Sequence, residues 1–328
     1  MLSGNVQAKS HPARLAILIP VFNDWESLEH LLVELSSQGS LPDEMMFVVI
    51  DDGSTERAPL NRLQSCAEGT PIHVVKMGTN LGHQRAIATG LVAIAEADLA
   101  ECVLVMDADG EDSPQGTIKL WEYHVSHPEA VVVAQRRGRS ETLPFRFFYS
   151  LYRMLFRWLT GKKLDFGNFS LINGETLRRL IFMPELWNHY PATIMKSRCE
   201  ILRVPLRREP RLAGHSSMNF IALVNHGMAG ISVFADTAFA RLLALAFSAI
   251  SVLAATIAGG VVYRLVSDSP LPGWFALITT AALIALLQVV VALTVIAFLN
   301  LSLRSQPRLP PVDVAAAYVS GTNVFGID

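Results

Sequence analysis

Asp107 and Asp109, one residue apart at the end of the apolar run Cys102–Ala108, are the pair in this 328-residue chain whose chemistry is plainest. Two carboxylates so spaced at a strand end can hold one divalent cation. Mg2+ favours a few carboxylates completed by phosphate oxygens and water, the composition of a diphosphate leaving-group site. A second acidic pair, Asp51-Asp52, ends an earlier apolar run in DDGST, although Asp-Gly-Ser is equally the composition of a turn. Between Arg136 and Arg211 stand sixteen Lys or Arg against six Asp or Glu, while the whole chain has a formal charge of -2. Such a block reads either as a solvated basic face or as a surface that meets phosphate, of lipid headgroups or of a substrate. Cys66, Cys102 and Cys199 are far apart with no CxxC pair, which suits a reducing compartment and supports neither zinc nor a disulfide framework.

The elements that must position these residues follow from periodicity. Leu15–Val21, Met46–Asp52, Pro71–Lys76, Cys102–Ala108 and Ala130–Gln135 are short apolar runs without clean alternation, as expected of parallel strands buried on both faces. Trp25–Ser37, Gln84–Glu96 and Gln115–Ser126 carry helical periodicity between them. The alternation predicts an α/β domain with a mostly parallel sheet. Functional loops in such sheets lie beyond the carboxyl ends of the strands, where PVFND, DDGS and DADGED fall. No GxGxxG follows the first strand, which disfavours a nicotinamide-binding fold. The N-terminus lacks the apolar core of a signal peptide, so the bulk of the chain is expected in the cytoplasm.

The rest of the chain changes character. Pro144–Lys163 interleaves aromatic residues with Arg146, Arg153 and Arg157, and on a helix gives a broad apolar face. That suits a helix lying in a membrane interface, or a core helix with snorkelling arginines. Leu242–Val262 and Trp274–Leu301 contain no charged residue, and each exceeds the ~20 residues that span a bilayer. The short breaker-rich turn between them makes a transmembrane hairpin. Arg241 before it, and Arg304 and Arg308 after it, put the large domain in the cytoplasm.

ILIPVFND, VIDDGST, GTNLGHQRAIATG and VMDADGED, in this order and spacing, resemble the signatures of family 2 glycosyltransferases of the GT-A fold. Dolichol-phosphate mannosyltransferase-like and bacterial polyprenyl-phosphate members are the most similar. The resemblance covers roughly residues 14 to 235, and the trailing pair of apolar stretches matches the membrane-anchored bacterial branch. It implies a GT-A domain followed by interface helices and a two-helix hairpin. By position, Pro20, Phe22 and Asp24 match the loop that embraces the nucleotide base, and Asp52 the acidic residue near the nucleoside. Asp107, Ala108 and Asp109 match the segment that binds the donor phosphates and Mg2+ or Mn2+, with Glu111, where relatives carry Gln, as a third metal ligand. Arg136 and Arg211 match phosphate-neutralising arginines and join Asp107 and Asp109 as the expected catalytic set. Asn168, Ser170 and Ser216 fall on the acceptor side. Ser170 replaces an arginine and Ser217 a lysine of the family pattern, leaving the latter charge to Arg207 or Arg208.

The resemblance further implies inverting transfer from a UDP- or GDP-sugar to a polyprenyl phosphate of the undecaprenyl or dolichyl type. A hydroxyl acceptor would need a general base, which Asn168 does not supply. A lipid phosphomonoester, with second pKa about 6, is already largely dianionic near neutrality. The expected partners are the nucleotide sugar, the lipid phosphate and membrane lipids, with no nucleic acid; Gly259 and Gly260 would permit helix packing in a homo-oligomer. The domains expected are a flexible terminus at 1–13, the nucleotide-sugar-binding core at 14–140 and an acceptor-side, membrane-interface segment at 141–236. Two spans follow within 237–303, about 240–262 and 274–301, and then a tail at 304–328, with both termini cytoplasmic at a bacterial inner membrane. The alternatives are a different acceptor, as in processive polysaccharide synthases, whose Q-x-x-R-W motif is missing here, or a catalytically weak scaffold that binds nucleotide sugars.

Overall fold

The computed structural model describes residues 12–137, 143–207, 209–211, 220–267, 272–305 and 308–325. The chain begins with β1 (Ala13–Val21), α1 (Trp25–Ser36), β2 (Met45–Asp51), α2 (Leu60–Cys66), β3 (Ile72–Met77), α3 (His83–Glu96), β4 (Ala100–Val105), α4 (Pro114–Ser126) and β5 (Val131–Arg137). It continues through α5 (Leu143–Thr160), β6 (Phe166–Asn173), α6 (Gly174–Leu180), a 3-10 turn at Pro184–Trp187, α7 (Tyr190–Lys196) and β7 (Ile201–Arg207). The last elements are α8 (Phe220–Ser232), α9 (Ala235–Ser267), α10 (Gly273–Ser305), α11 (Pro311–Val314), a second 3-10 turn at Ala315–Tyr318 and β8 (Val319–Phe325).

The eight strands among the described residues form one sheet in the order β7-β5-β6-β4-β1-β2-β3-β8. The five expected strands and three expected helices are present, and the α/β architecture is as anticipated. Parallel pairing joins β4, β1, β2 and β3, and separately β5 with β7. β6 runs antiparallel between β4 and β5, and β8 antiparallel along β3, so the sheet is mixed. Thus the segment at 141–236 supplies two strands, and the region read as a tail supplies a third. β1 and β2 pair in register from Leu15 against Met45 to Val21 against Asp51, which brings their following loops to the same level at one edge.

Helices pack on the sheet through faces fixed by sequence. α1 buries Trp25, Leu28, Leu31, Leu32 and Leu35, the spacing of one helix face. These join Leu15, Ile17, Ile19, Phe47, Val49 and Leu104 in the core, each contributing roughly 1.5–3 kcal/mol by burial. α3 crosses the opposite sheet face, and a Cβ on its Gly90 would stand 2.3 Å from Leu18 Cδ1, so glycine permits the close approach.

The chain divides into two compact units, residues 1–153, 163–233 and 309–328 in one, residues 154–162 and 234–308 in the other. In the second, α9 and α10 pack against each other, and Gly260 makes room for the Phe275 ring. Residues 235–266 and 273–299 are long and apolar enough to cross a membrane. They leave Leu245, Phe247, Val252, Leu277 and Phe298 exposed, a surface that water disfavours and lipid accepts. The stretch Pro144–Lys163 lies mostly on α5, which buries Phe156 and exposes Leu151, Met154, Leu155 and Trp158.

Candidate active site

Four loops meet beyond the carboxyl ends of β1, β2, β3 and β4. At the end of β1, Pro20 is buried and paired with Ile50, whereas Phe22, just beyond the strand, is 47% exposed. Asn23 takes a left-handed conformation, φ 53°, that asparagine tolerates better than most residues. Its Oδ1 accepts from the Thr55 and Glu56 amides at 2.9 and 3.1 Å, and its own amide donates to Ser54 Oγ at 3.0 Å. Asp24 is the N-cap of α1 without a side-chain capping bond. The β1 loop is therefore clamped to the β2 loop by Asn23, a residue the sequence reading did not single out.

Asp51 Oδ1 accepts from Ser54 N at 2.8 Å, a side-chain bond that shapes DDGS. Asp52, expected near a nucleoside, accepts from Leu81 N at 2.8 Å and Gly82 N at 3.0 Å through its two carboxylate oxygens. It thereby ties the β2 loop to the segment entering α3. Burial pushes its pKa up, against the lowering effect of those two amides and of His83. Gly53 packs backbone to backbone on Thr79 and Asn80.

The β4 loop folds on its own polar groups. Asp112 Oδ2 accepts from Asp107 N at 3.2 Å, and Asp109 Oδ1 from Glu111 N at 3.0 Å, with Gly110 at φ 77° turning the chain. Ala108 is buried. Ser113 caps α4 by accepting from Gly116 N, and Pro114 occupies the first turn.

Around Asp107 the fold gathers residues distant in sequence. Its Oδ1 lies 3.0 Å from His83 Nε2 and 3.3 Å from Asn168 Nδ2. Gln84 Nε2 donates to Asn168 Oδ1 at 3.0 Å, which turns the Asn168 amide nitrogen toward Asp107 and His83. Gln84 Oε1 in turn accepts from Tyr190 N at 2.6 Å. Partial desolvation of the half-exposed His83 ring works against its charge, but the carboxylates of Asp107, Asp109 and Asp52 outweigh it and raise its pKa. Asp109 Oδ2 receives Arg211 Nη2 at 2.8 Å.

The expected residues are thus distributed unequally. Asp107, Asp109, Asn168 and Arg211 share hydrogen bonds at one locus. Ser170 is fully buried beneath it, bonded to the Asn168 carbonyl and, at 2.8 Å, to the Tyr190 hydroxyl. Arg136 pairs with Leu206 in the β5–β7 ladder; its side chain, with Arg208, Ser216 and Ser217, lies outside the described residues. His83, Gln84 and Tyr190 were missed. The signal for the first two was a polar pair opening a helix just after a glycine-containing loop, within GTNLGHQRAIATG. A cavity of about 310 Å³ lined by Arg14, Glu101, Trp121 and His124 opens where β1 and β4 begin, away from these loops.

The donor set at Asp107 and Asp109 is two hard carboxylate oxygens, which fits a divalent ion that takes its other ligands from phosphate and water. No group of three His, Cys, Asp or Glu poised to hold a metal exists among the described residues. Glu111 contributes backbone, its N–H to Asp109 and its carbonyl to Glu209 N.

Comparison with known proteins bears on this arrangement. The profile of Glycosyl transferase family 2 matches residues 16–182, just over half of the chain. An uncharacterized glycosyltransferase of Synechocystis is 25% identical over 237 residues, which span 67% of this chain and 69% of that protein. The undecaprenyl-phosphate 4-deoxy-4-formamido-L-arabinose transferase of Edwardsiella ictaluri is 25% identical over 215 residues, spanning 64% of this chain and 65% of that one. Among solved structures, glucosyl-3-phosphoglycerate synthase from Mycobacterium tuberculosis, in complex with Mn2+, UDP and phosphoglyceric acid, superposes with TM-score 0.51 at 16% identity. That match covers 69% of this chain and 78% of the other and speaks for the fold.

Proposed function

This chain belongs to glycosyl transferase family 2, and from that premise we propose that it moves a sugar from a UDP- or GDP-sugar onto the phosphate of a membrane-embedded polyprenyl lipid. The observation that carries the reading is the joining, in one chain, of the Asp107–Asp109 locus to two helices long and apolar enough to span a bilayer. A relative named for transfer involving undecaprenyl phosphate supports the same acceptor class. A polyprenyl tail leaves the bilayer only at about 0.8 kcal/mol per CH2, so the enzyme must work at the membrane.

Asp107 and Asp109 would hold the divalent ion, Mg2+ or Mn2+, which supplies charge neutralisation of the departing diphosphate. Glu111, on the same loop, is the sequence's candidate for a third ligand. Arg211 would meet the diphosphate beside it. Its Nε–H is buried without an acceptor among the described residues, and an arriving phosphate oxygen would satisfy it. Arg136 is the second expected phosphate partner. Asn168, held by Gln84, would orient Asp107 and present its amide toward the reacting phosphate. Phe22, exposed at the β1 loop, would stack on the base, with Pro20, Asp24 and Asp52 shaping that loop and its neighbour. The acceptor phosphate is already ionised and needs no side chain to remove a proton. Both flanks of the hairpin belong to the catalytic unit, which supports a reading in which the two spans would cross and return with both flanks on the cytoplasmic side.

The test is Asp109→Ala in purified full-length protein with labelled UDP- and GDP-sugars, Mn2+ and added polyprenyl phosphate. Transfer to lipid should disappear while membrane insertion persists. Normal turnover by the variant would remove the assignment of Asp109.

A further inference from the structure

The segment after the second span does more than end the chain. β8 pairs antiparallel along β3 from Phe325 against Ile72 to Val319 against Met77, with an irregularity at Lys76 and Met77. Immediately beyond, Gly78 N donates to the Tyr318 carbonyl at 2.8 Å, and Ser320 Oγ donates to the Lys76 carbonyl at 3.1 Å. The segment is fastened again upstream. Pro311 and Ala315 are buried, Val312 N donates to the Ile181 carbonyl at 3.2 Å, and the Tyr318 ring stands edge-on to Trp187 at 6.0 Å.

Its grip ends on the loop that builds the site. Residues 78–82 supply the Leu81 and Gly82 amides to Asp52, and Thr79 and Asn80 form the wall against Gly53. Gly82 then caps α3, whose first residue, His83, meets Asp107. An unbroken series of backbone and side-chain contacts therefore runs from Tyr318 to the acidic pair. Without β8, β3 would be an open edge strand, and its following loop would be held from one side only.

We propose that residues 310–325 are a positioning element of the donor site, which hold the loop at 78–82 in the place where it clasps Asp52. The proposal rests on reading that site as one for a nucleotide sugar. It also gives the topology a consequence. The strand is made from chain lying beyond both spans, and it reaches β3 only when both ends of the hairpin emerge on the catalytic side. A chain inserted with its second span uncrossed cannot complete its own sheet.

The experiment uses full-length protein in nanodiscs, a variant lacking residues 310–328, and Gly321→Pro, which puts proline at the ladder position paired with Lys76 while leaving the chain length intact. Hydrogen exchange is read at residues 78–82 and, as a folding control, at 15–21. Mn2+ with UDP, and Mn2+ with GDP, are the binding probes. Exchange at 78–82 should rise in both variants with that at 15–21 unchanged. Affinity for the nucleotide that binds should fall about tenfold, the equivalent of one charge-assisted hydrogen bond. In transfer assays the donor KM should rise while kcat at saturating donor holds. If the deletion also loosens 15–21, Gly321→Pro decides. Unchanged exchange at 78–82 and an unchanged donor KM in that variant would overturn the proposal. Failure of the intact chain to bind either nucleotide would instead remove the reading of the site, and the exchange result would still report whether the segment holds the loop.

Discussion

Gly53→Ala offers a sharp test of whether the β2 and β3 loops act as one body. Gly53 has φ 68°, and a Cβ there would lie 2.4 Å from the Thr79 carbonyl carbon and 2.5 Å from Asn80 N. The left-handed conformation alone costs a non-glycine residue about 1–2 kcal/mol. The close atoms are backbone, so no rotamer relieves them, and the Thr79–Asn80 segment must retreat by roughly 1 Å to reach ordinary packing distance. Leu81 and Gly82 follow directly in the chain and would be drawn from Asp52, where each amide bond to the carboxylate is worth about 1.5–3 kcal/mol. Loss of one such bond with the strain predicts destabilisation of about 2.5–5 kcal/mol. The donor KM should rise about tenfold or more, because the donor must re-form the loop at its own expense in binding energy. Denaturant titration in detergent micelles reads the first quantity, and initial rates at varied donor read the second. A variant with wild-type stability and wild-type donor KM would refute the coupling of the two loops.

Two further expectations concern pH. His189 is buried and beside His226, and burial first, then that neighbour, lowers its pKa to about 3. The neutral ring is favoured in the fold, so this stability is present above the ordinary 6.5 and drains as pH falls toward 3, by about 2 kcal/mol near pH 5. His189→Asn keeps an N-cap acceptor for Ala192 N and should lose less stability between neutral pH and about pH 5; equal acid sensitivity in both proteins would contradict the assignment. For Asp165 burial pushes the carboxyl up, but hydrogen bonds from Arg203, Gln135 and Lys163 and the charge of Arg203 hold it below its usual value. Its stabilisation is present above the ordinary carboxylate range and is lost as pH falls through the lowered value. Arg203 and Lys163 are partly exposed, so Asp165→Asn should cost only about 1 kcal/mol near neutrality and nothing in strong acid. A cost that stays constant across that range in chemical denaturation would show that charge is not its source.

The strands that were legible in the sequence are those buried on both faces, where LAILIPV and MFVVIDD admit few other readings. β6, β7 and β8 were not, for a different reason in each case. FGNFSLIN carries Asn168 and Ser170, matched by position to the acceptor side, ILRVPLR buries only alternate residues on its C-terminal half, and VSGTNVF is an edge strand held on one side. Their pairing is decided by tertiary contacts, which local propensity does not encode. The site shows the same division. Asp107 and Asp109 announce themselves by spacing, whereas the His83–Asn168 contact joins residues 85 positions apart and the Gln84–Tyr190 contact residues 106 apart. Asn23 was hidden inside a motif whose other residues were assigned. Ser170 shows the reverse case, since a position matched to the acceptor side by motif is a buried strut between Asn168 and Tyr190.

Sugar transfer to a lipid phosphate is tested most directly by comparing acceptors. Purified full-length protein in bilayers, given Mn2+ and a panel of labelled UDP- and GDP-sugars, is offered either polyprenyl phosphate or the matching polyprenol. Label is expected in the lipid extract from one donor with the phosphate alone, and mild acid, which cleaves the glycosyl–phosphate bond, should release it again as water-soluble sugar. Equal or preferred labelling of the alcohol, or donor turnover with no labelled lipid, would contradict it.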